Sequence, residues 1–458
     1  LVFLGNSLVT LRYTYSSHIG RLASELSEPL LEIEMNPVAA EKTACWPARI
    51  EPGQTHSPSK TPRDIAARFA WALPMLGVLL IGVLLIGCGP SELKYRPNDL
   101  HAASLTRESA DQDPTEIAEQ AAALTETWFG PLDQPRWPTG LAEAVRMDSV
   151  LRCAGPVGRL ADKVERGVFR KHCVTCHGLS GDGLGPVSML LEPYPRDFRR
   201  GTFKFKSSPV GKKPTREDIH RTLYEGIPGT AMPSFRALEE SEEFAHDIED
   251  LVEYVRFLSV RGEVERRAIS LNVREGIPLD TSEPRMQEIL SEVVGKWDSA
   301  PSDALPEPEP PAWFTTAPSD EYRHLEWIQK GKSHFESELT ACVKCHGKTG
   351  AGDGASQDYD EWTKDWTILA GIDPKHPKEW KEMKLYGALR PVLAKPRNFH
   401  WGAFHGGKSP KEIFKRIVLG IEGTPMPPVA RAENSNPGLT DQELWELVYY
   451  VMHLEDRT

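Results

Sequence analysis

Cys173-Val174-Thr175-Cys176-His177 and Cys342-Val343-Lys344-Cys345-His346 decide how this chain reads. Cys-x-x-Cys-His is the attachment pattern of a c-type haem. Each thiol can add to a vinyl group of the porphyrin, and the adjoining imidazole is placed to ligate iron from the proximal side. Cys173, Cys176, Cys342 and Cys345 are therefore the expected attachment residues, with His177 and His346 as iron ligands. A lone Cys-x-x-Cys also serves redox and zinc chemistry. A zinc ribbon, however, sets its two pairs about fifteen to twenty residues apart, far closer than these two motifs. Both copies also carry the trailing histidine. Two covalently bound c-type haems are expected.

Outward from the motifs the sequence repeats in order. Glycine-rich turns follow each, Gly178 to Gly183 and Gly347 to Gly352. Pro195-Arg196-Asp197-Phe198 then matches Pro396-Arg397-Asn398-Phe399, and a later frame Gly-Ile-x-Gly-Thr-x-Met-Pro ends on Met232-Pro233 and Met426-Pro427. Each half closes on one apolar helical face: Ile248, Leu251, Val252, Val255 and Leu258, then Leu444, Leu447, Val448, Val451 and Leu454. Tyr254 and Tyr450 fall at equivalent places. Helices are also predicted ahead of the motifs, over Leu160–Lys171 and Glu326–Leu339, carrying Gly167 and Phe169 or Gly331 and Phe335.

The sixth position of each iron decides the chemistry. A side chain there makes an electron-transfer site, and an open position admits oxygen, peroxide or another small ligand. Met232 and Met426 are the candidates, since a thioether opposite histidine raises the reduction potential. Proline after each methionine disfavours helical backbone there, and the glycine before permits an unusual turn. His220 or His246 in the first half, and His400 or His405 in the second, compete for the same role. None has an imidazole equivalent in the other copy. Arg196 and Arg397 recur in the Pro-Arg segments, where a guanidinium could pair with a haem propionate.

These residues resemble the class I cytochrome c family, over about residues 160–260 and 322–456. The resemblance implies an all-α fold, two tandem class I cytochrome c-type helical domains, each around one covalent haem, and one-electron transfer. The expected function is a membrane-tethered di-haem cytochrome relaying electrons between redox partner proteins, a terminal oxidase or a quinol-oxidising complex. The alternatives are a di-haem peroxidase with one open iron, which needs the two sites to differ, and a haem-based redox sensor.

The rest of the 458 residues supplies context. A net charge of −12 argues against a nucleic-acid partner. Residues 1–62 lack periodicity and read as an over-extended or disordered N-terminus that includes Cys45. Within 63–88, the apolar run Ala70–Gly87 follows Lys60, Arg63 and Arg68 and stops at Leu85-Ile86-Gly87-Cys88. That resembles a bacterial lipobox with Cys88 as lipid anchor, and the rival is an uncleaved spanning helix. Either places the remainder on the outer face of the cytoplasmic membrane or in the periplasm. Residues 89–158 read as a spacer that packs on the first domain, with one helix over Asp113–Thr127 and a buried, unreactive Cys153. Domain 1 is expected over 159–275, a Pro-rich linker over 276–320, and domain 2 over 321–458. Only domain 2 carries an insertion, at about 355–395, with Trp362, Trp366, Trp380 and Tyr386. It reads as a cover for its own domain, or as a docking surface for a redox partner.

Overall fold

A computed structural model describes residues 93–109, 111–159, 165–241, 246–316, 320–432 and 437–454. The candidate anchor at Cys88, the apolar run before it and Cys45 lie outside the described residues. Among the described residues no helix is long and apolar enough to cross a membrane.

The fold is all-α, and among the described residues strands are limited to two antiparallel ladders of two residues per strand. In the first haem region the backbone of the core is the helix Asp247–Glu275. Asp247, Glu249 and Asp250 occupy its first turn, where negative charge complements the helix dipole. It stops at Gly276, which takes the left-handed conformation at φ 68°. The predicted face from Ile248 to Leu258 is buried, and burial continues through Val260, Val264, Ala268 and Ile269.

That continuation comes from two segments the sequence reading placed outside the domain. Helices Asp99–Thr106, Pro114–Phe129 and Met147–Cys153 lie against Asp247–Glu275. Tyr95, Phe129, Leu132, Val145, Val150 and Cys153 share one core with Phe169, Phe198 and Tyr254. The stretch read as a spacer thus forms a wall of the first region. Pro114–Phe129 starts where proline is tolerated, after Asp113 accepts from the Thr115 N–H. Pro284–Asp298, within the stretch read as linker, buries Met286, Ile289, Val293 and Trp297 against the same long helix.

Encased this way, the helix also buries charge. Glu253 meets Arg216 at 2.6 Å, Glu265 meets Arg261 at 2.8 Å, and Arg256 donates to the carbonyls of Ala144 and Trp297 at 2.9 and 3.1 Å. Glu253, Glu265 and Arg256 thus have the partners that burial demands.

Of the helix expected over Leu160–Lys171, residues 160–164 lie outside the described residues, Glu165–Arg166 is a short strand, and the helix described is Val168–His172. Gly167 before it adopts φ 78°, and a Cβ there would meet the Pro156 carbonyl at 2.7 Å, so the chain turns instead of continuing a helix. The second region has the longer lead helix, Glu321–Glu336, crossing Asp441–Met452. The two approach so closely at Gly331 that a Cβ would lie 2.1 Å from the Glu446 carbonyl oxygen. Phe335 beside the crossing packs on Tyr450 at 5.4 Å, and Phe169 on Tyr254 at 5.0 Å in the first region.

The insertion has an unexpected place. Its base is pinched by the ladder of Asp358–Tyr359 with Leu393–Ala394. Its helix Glu361–Leu369 meets the second region where Glu361 N donates to Gly423 O at 3.3 Å, but its apolar side chains turn elsewhere. Trp366, Ala370, Ile372, Trp380 and Met383 cluster with Ala103 and Leu100 from the first. Small alanines on Asp99–Thr106 leave room for the indoles, so the insertion straps the two regions together.

Candidate haem-binding sites

Each motif winds into one helical turn, Val174–His177 and Val343–His346. His177 N donates to Cys173 O at 2.9 Å, as His346 N does to Cys342 O at 2.9 Å. First cysteine, second cysteine and histidine then stand at i, i+3 and i+4, on one side of the turn.

Loops on either side repeat bond for bond. Gly183 N donates to His177 O and Gly352 N to His346 O, both at 2.9 Å. Phe198 N donates to Gly181 O at 2.7 Å, and Phe399 N to Gly350 O at 2.9 Å. Gly181 and Gly350 are needed for this approach, because a Cβ would lie 2.9 Å from Phe198 or 3.0 Å from Phe399. The glycine turn is thereby clamped between the motif and the closing helix.

That clamp orients the imidazoles. His177 Nδ1 lies 3.0 Å from the Arg196 carbonyl, and His346 Nδ1 lies 3.2 Å from that of Arg397. Phe198 and Phe399 stack on the two rings at 4.6 Å each. Burial lowers both imidazoles from their ordinary value, opposed by the carbonyl hydrogen bond. A neutral ring that donates Nδ1–H to a carbonyl keeps its lone pair on Nε2, the tautomer of a metal ligand. All four motif cysteines are free thiols. Burial pushes the Cys173 thiol up to about 12 and raises Cys342.

The methionine loops are equally matched. Ile227 N donates to Met232 O and Ile421 N to Met426 O, both at 3.1 Å. The Thr230 hydroxyl donates to Ile227 O and accepts from Met232 N at 3.1 Å; Thr424 does the same, with Met426 N at 3.2 Å. Both methionines are half-buried. The competing histidines are otherwise placed. His220 pairs with Glu239 at 3.1 Å, His400 Nδ1 bonds the Leu454 carbonyl at 2.9 Å, and His405 Nε2 accepts from Arg397 at 2.7 Å. His246 stands at the N-cap position of Asp247–Glu275, makes no side-chain capping bond and is exposed.

Paired free thiols, a neutral imidazole of the ligating tautomer and a methionine loop are the donor set a c-type haem takes, so the residues fit the group. The zinc reading would need a cluster of His, Cys, Asp or Glu able to hold a bare ion, and no such group occurs among the described residues. Sequence reasoning missed the stacked Phe198 and Phe399, although both stand in the quoted repeat. It also missed Trp362 as a neighbour of the first site. A Cβ on Gly183 would lie 3.1 Å from its ring. Coming from the unrepeated insertion, Trp362 had no counterpart to reveal it.

Comparison with known proteins finds cytochrome families over both motif regions. A family model described as cytochrome c matches residues 328–455, and one described as cytochrome c oxidase, cbb3-type, subunit III matches residues 163–255. Among curated proteins none matches. Among solved structures the chain is similar to one from the Kuenenia stuttgartiensis reducing HAO-like protein complex, at 29% identity and a TM-score of 0.36, covering 63% of this chain and 93% of that one.

Proposed function

We propose that this chain, whose haem-motif regions belong to the class I c-type cytochromes, is a membrane-tethered di-haem carrier that relays single electrons between respiratory partners outside the cytoplasmic membrane. Haem-based electron transfer follows from the family. Two haems, methionine ligation, the tether and the partners are the proposal. The single observation that carries it is the sameness of the two methionine loops, hydrogen bond for hydrogen bond. A peroxidase needs one iron left open, whereas both loops hold their methionine backbone by the same threonine and isoleucine hydrogen bonds.

In this reading Cys173, Cys176, Cys342 and Cys345 hold the porphyrins, His177 and His346 ligate from one side, and Met232 and Met426 from the other. Bound there, haem iron supplies a one-electron couple. The chain's own part is to hold each imidazole neutral and oriented, and to fix each methionine backbone through a threonine hydroxyl. A site that scarcely rearranges between oxidation states exchanges electrons without first rebuilding its ligands.

The match of the first region to an oxidase subunit supports a terminal oxidase or quinol-oxidising assembly as partner. The tether rests on the apolar run ending at Cys88, and mass spectrometry of the mature N-terminus tests it. A chain beginning at lipid-modified Cys88 supports the anchor; one retaining Trp71 to Gly87 means a spanning helix. Carrier and enzyme separate on carbon monoxide and peroxide. The reduced parent should bind carbon monoxide poorly and the oxidised parent should not consume peroxide. Peroxide turnover lost on mutation of one domain alone would overturn the carrier reading.

A further inference from the structure

The two arginines of the Pro-Arg repeats do not stay with their own methionine loops. A Cβ on Gly229, in the first loop, would lie 3.5 Å from Arg397 Nη2 and 3.6 Å from His405 Nε2, both from the second region. A Cβ on Gly423, in the second loop, would lie 3.7 and 3.8 Å from Arg196 Nη1 and Nη2, from the first. The exchange is reciprocal. Each guanidinium lies beside the glycine that precedes the threonine holding the other region's methionine.

The protein leaves these donors short of acceptors. Among the described residues no hydrogen bond or ion pair engages the Arg196 guanidinium, which stands 5.6 Å from the Trp362 ring centre. Arg397 gives Nη1 to His405, while its buried Nε has no partner. The buried indole N–H of Trp362 has none either. Nearby carboxylates are already engaged: Glu422 with Lys206 at 2.5 Å, Asp360 with Lys204, and Asp365 with Arg200 at 3.0 Å. A buried donor without an acceptor costs about 1–3 kcal/mol. Arg397 Nε and Trp362 Nε1 are two such donors at one boundary, and with the half-buried, unpaired Arg196 guanidinium beside them they call for an anion from outside the polypeptide.

We propose that Arg196 and Arg397 are exchanged across the boundary between the regions, each binding a carboxylate of the other region's haem, with Trp362 as an added donor. This rests on the di-haem reading above. It deepens that reading, because each haem's potential is then set partly by a positive charge the other region supplies. Removing the charge favours the oxidised, more positive iron and lowers the potential of the haem it serves.

The test titrates one haem at a time in the full chain. In a Met232→Ala background only the second haem retains a sulfur-to-iron charge-transfer band, and in Met426→Ala only the first. The band is followed against applied potential. Arg196→Gln should weaken reduction of the second haem about tenfold, ~59 mV for one electron, and change the first less than about threefold. Arg397→Gln should do the reverse. Arg196→Lys and Arg397→Lys, which keep the charge but lose the fork, should recover part of each shift. Trp362→Phe, which keeps the packing and removes the N–H, should give a smaller shift of the same sign. Shifts confined to the haem of the arginine's own region, or no shift at all, overturn the exchange while leaving the carrier intact. Absence of the band from the unmutated protein overturns the methionine-ligated reading and the exchange with it.

Discussion

In the first haem region the closing helix runs 29 residues, Asp247–Glu275, whereas in the second it runs 12, Asp441–Met452. Around the haem motifs the two are alike to the level of single hydrogen bonds; away from them they share little. The first is enclosed by helices from both of its flanking segments. The second is closed by the crossing at Gly331, and its insertion spends its tryptophans on the first region. The difference separates two kinds of constraint. Residues that hold an imidazole and a methionine in fixed positions have few alternatives, so they repeat. The casing only has to bury apolar surface, and any helix with the right face can do that.

If the insertion is shared casing, Trp366→Ala should be the most damaging change proposed. Replacing a buried tryptophan costs about 3–5 kcal/mol, and Trp366 is 5% exposed among Ala103, Ala370 and Trp380. Hydrogen exchange should show lost protection in Asp99–Thr106 as well as in Glu361–Leu369. Loss confined to the insertion would mean that the two regions are cased independently.

The crossing in the second region gives the next test. Gly331→Ala places a methyl where the Glu446 backbone stands, and overpacking typically costs about 1–3 kcal/mol. Thermal unfolding followed at the haem absorbance should lose the second region's transition first. An unchanged melting profile would mean the helices can separate freely at Gly331.

The smallest effect concerns Asp247, the first residue of the long helix, whose counterpart Asp441 in the second region accepts from Arg431 instead. Burial, with Glu165 adding to it, raises this carboxyl from 3.8 to about 6, and Oδ2 has no hydrogen-bond partner. Between those values the folded state binds more protons than the unfolded chain. Stability therefore falls as pH rises through the window and stays lowered above it. Asp247→Asn should match the parent near pH 3 and be more stable near pH 8, by about 1 kcal/mol or less given the partial hydration of the site. A gain that persists at low pH would point to a cause other than ionisation.

The repeated parts were legible because two copies in one chain act as each other's control. The motifs, the Met-Pro loops, the closing faces and Tyr254 with Tyr450 were all read from matched order. What could not be read was unmatched. The apolar spacing of Ile117, Ala121 and Leu124 identifies a helix but does not say which surface it covers. Prolines at 301–318 suggested a linker, yet Leu305 N bonds Ser207 O at 2.7 Å, and Trp313 and Phe314 pack on Tyr449 and Trp445 of the second core. The exchange of Arg196 and Arg397 is a property of how two regions meet, and neither repeat alone contains it.

The central claim is that both irons are ligated by methionine. Near-infrared absorption of the oxidised protein, normalised to haem content by pyridine haemochrome, tests it directly. The account predicts two haems per chain and a sulfur-to-iron band of matching strength, with Met232→Ala and Met426→Ala each removing about half. A band worth one haem in the unmutated protein, abolished by one of these changes and untouched by the other, would contradict it.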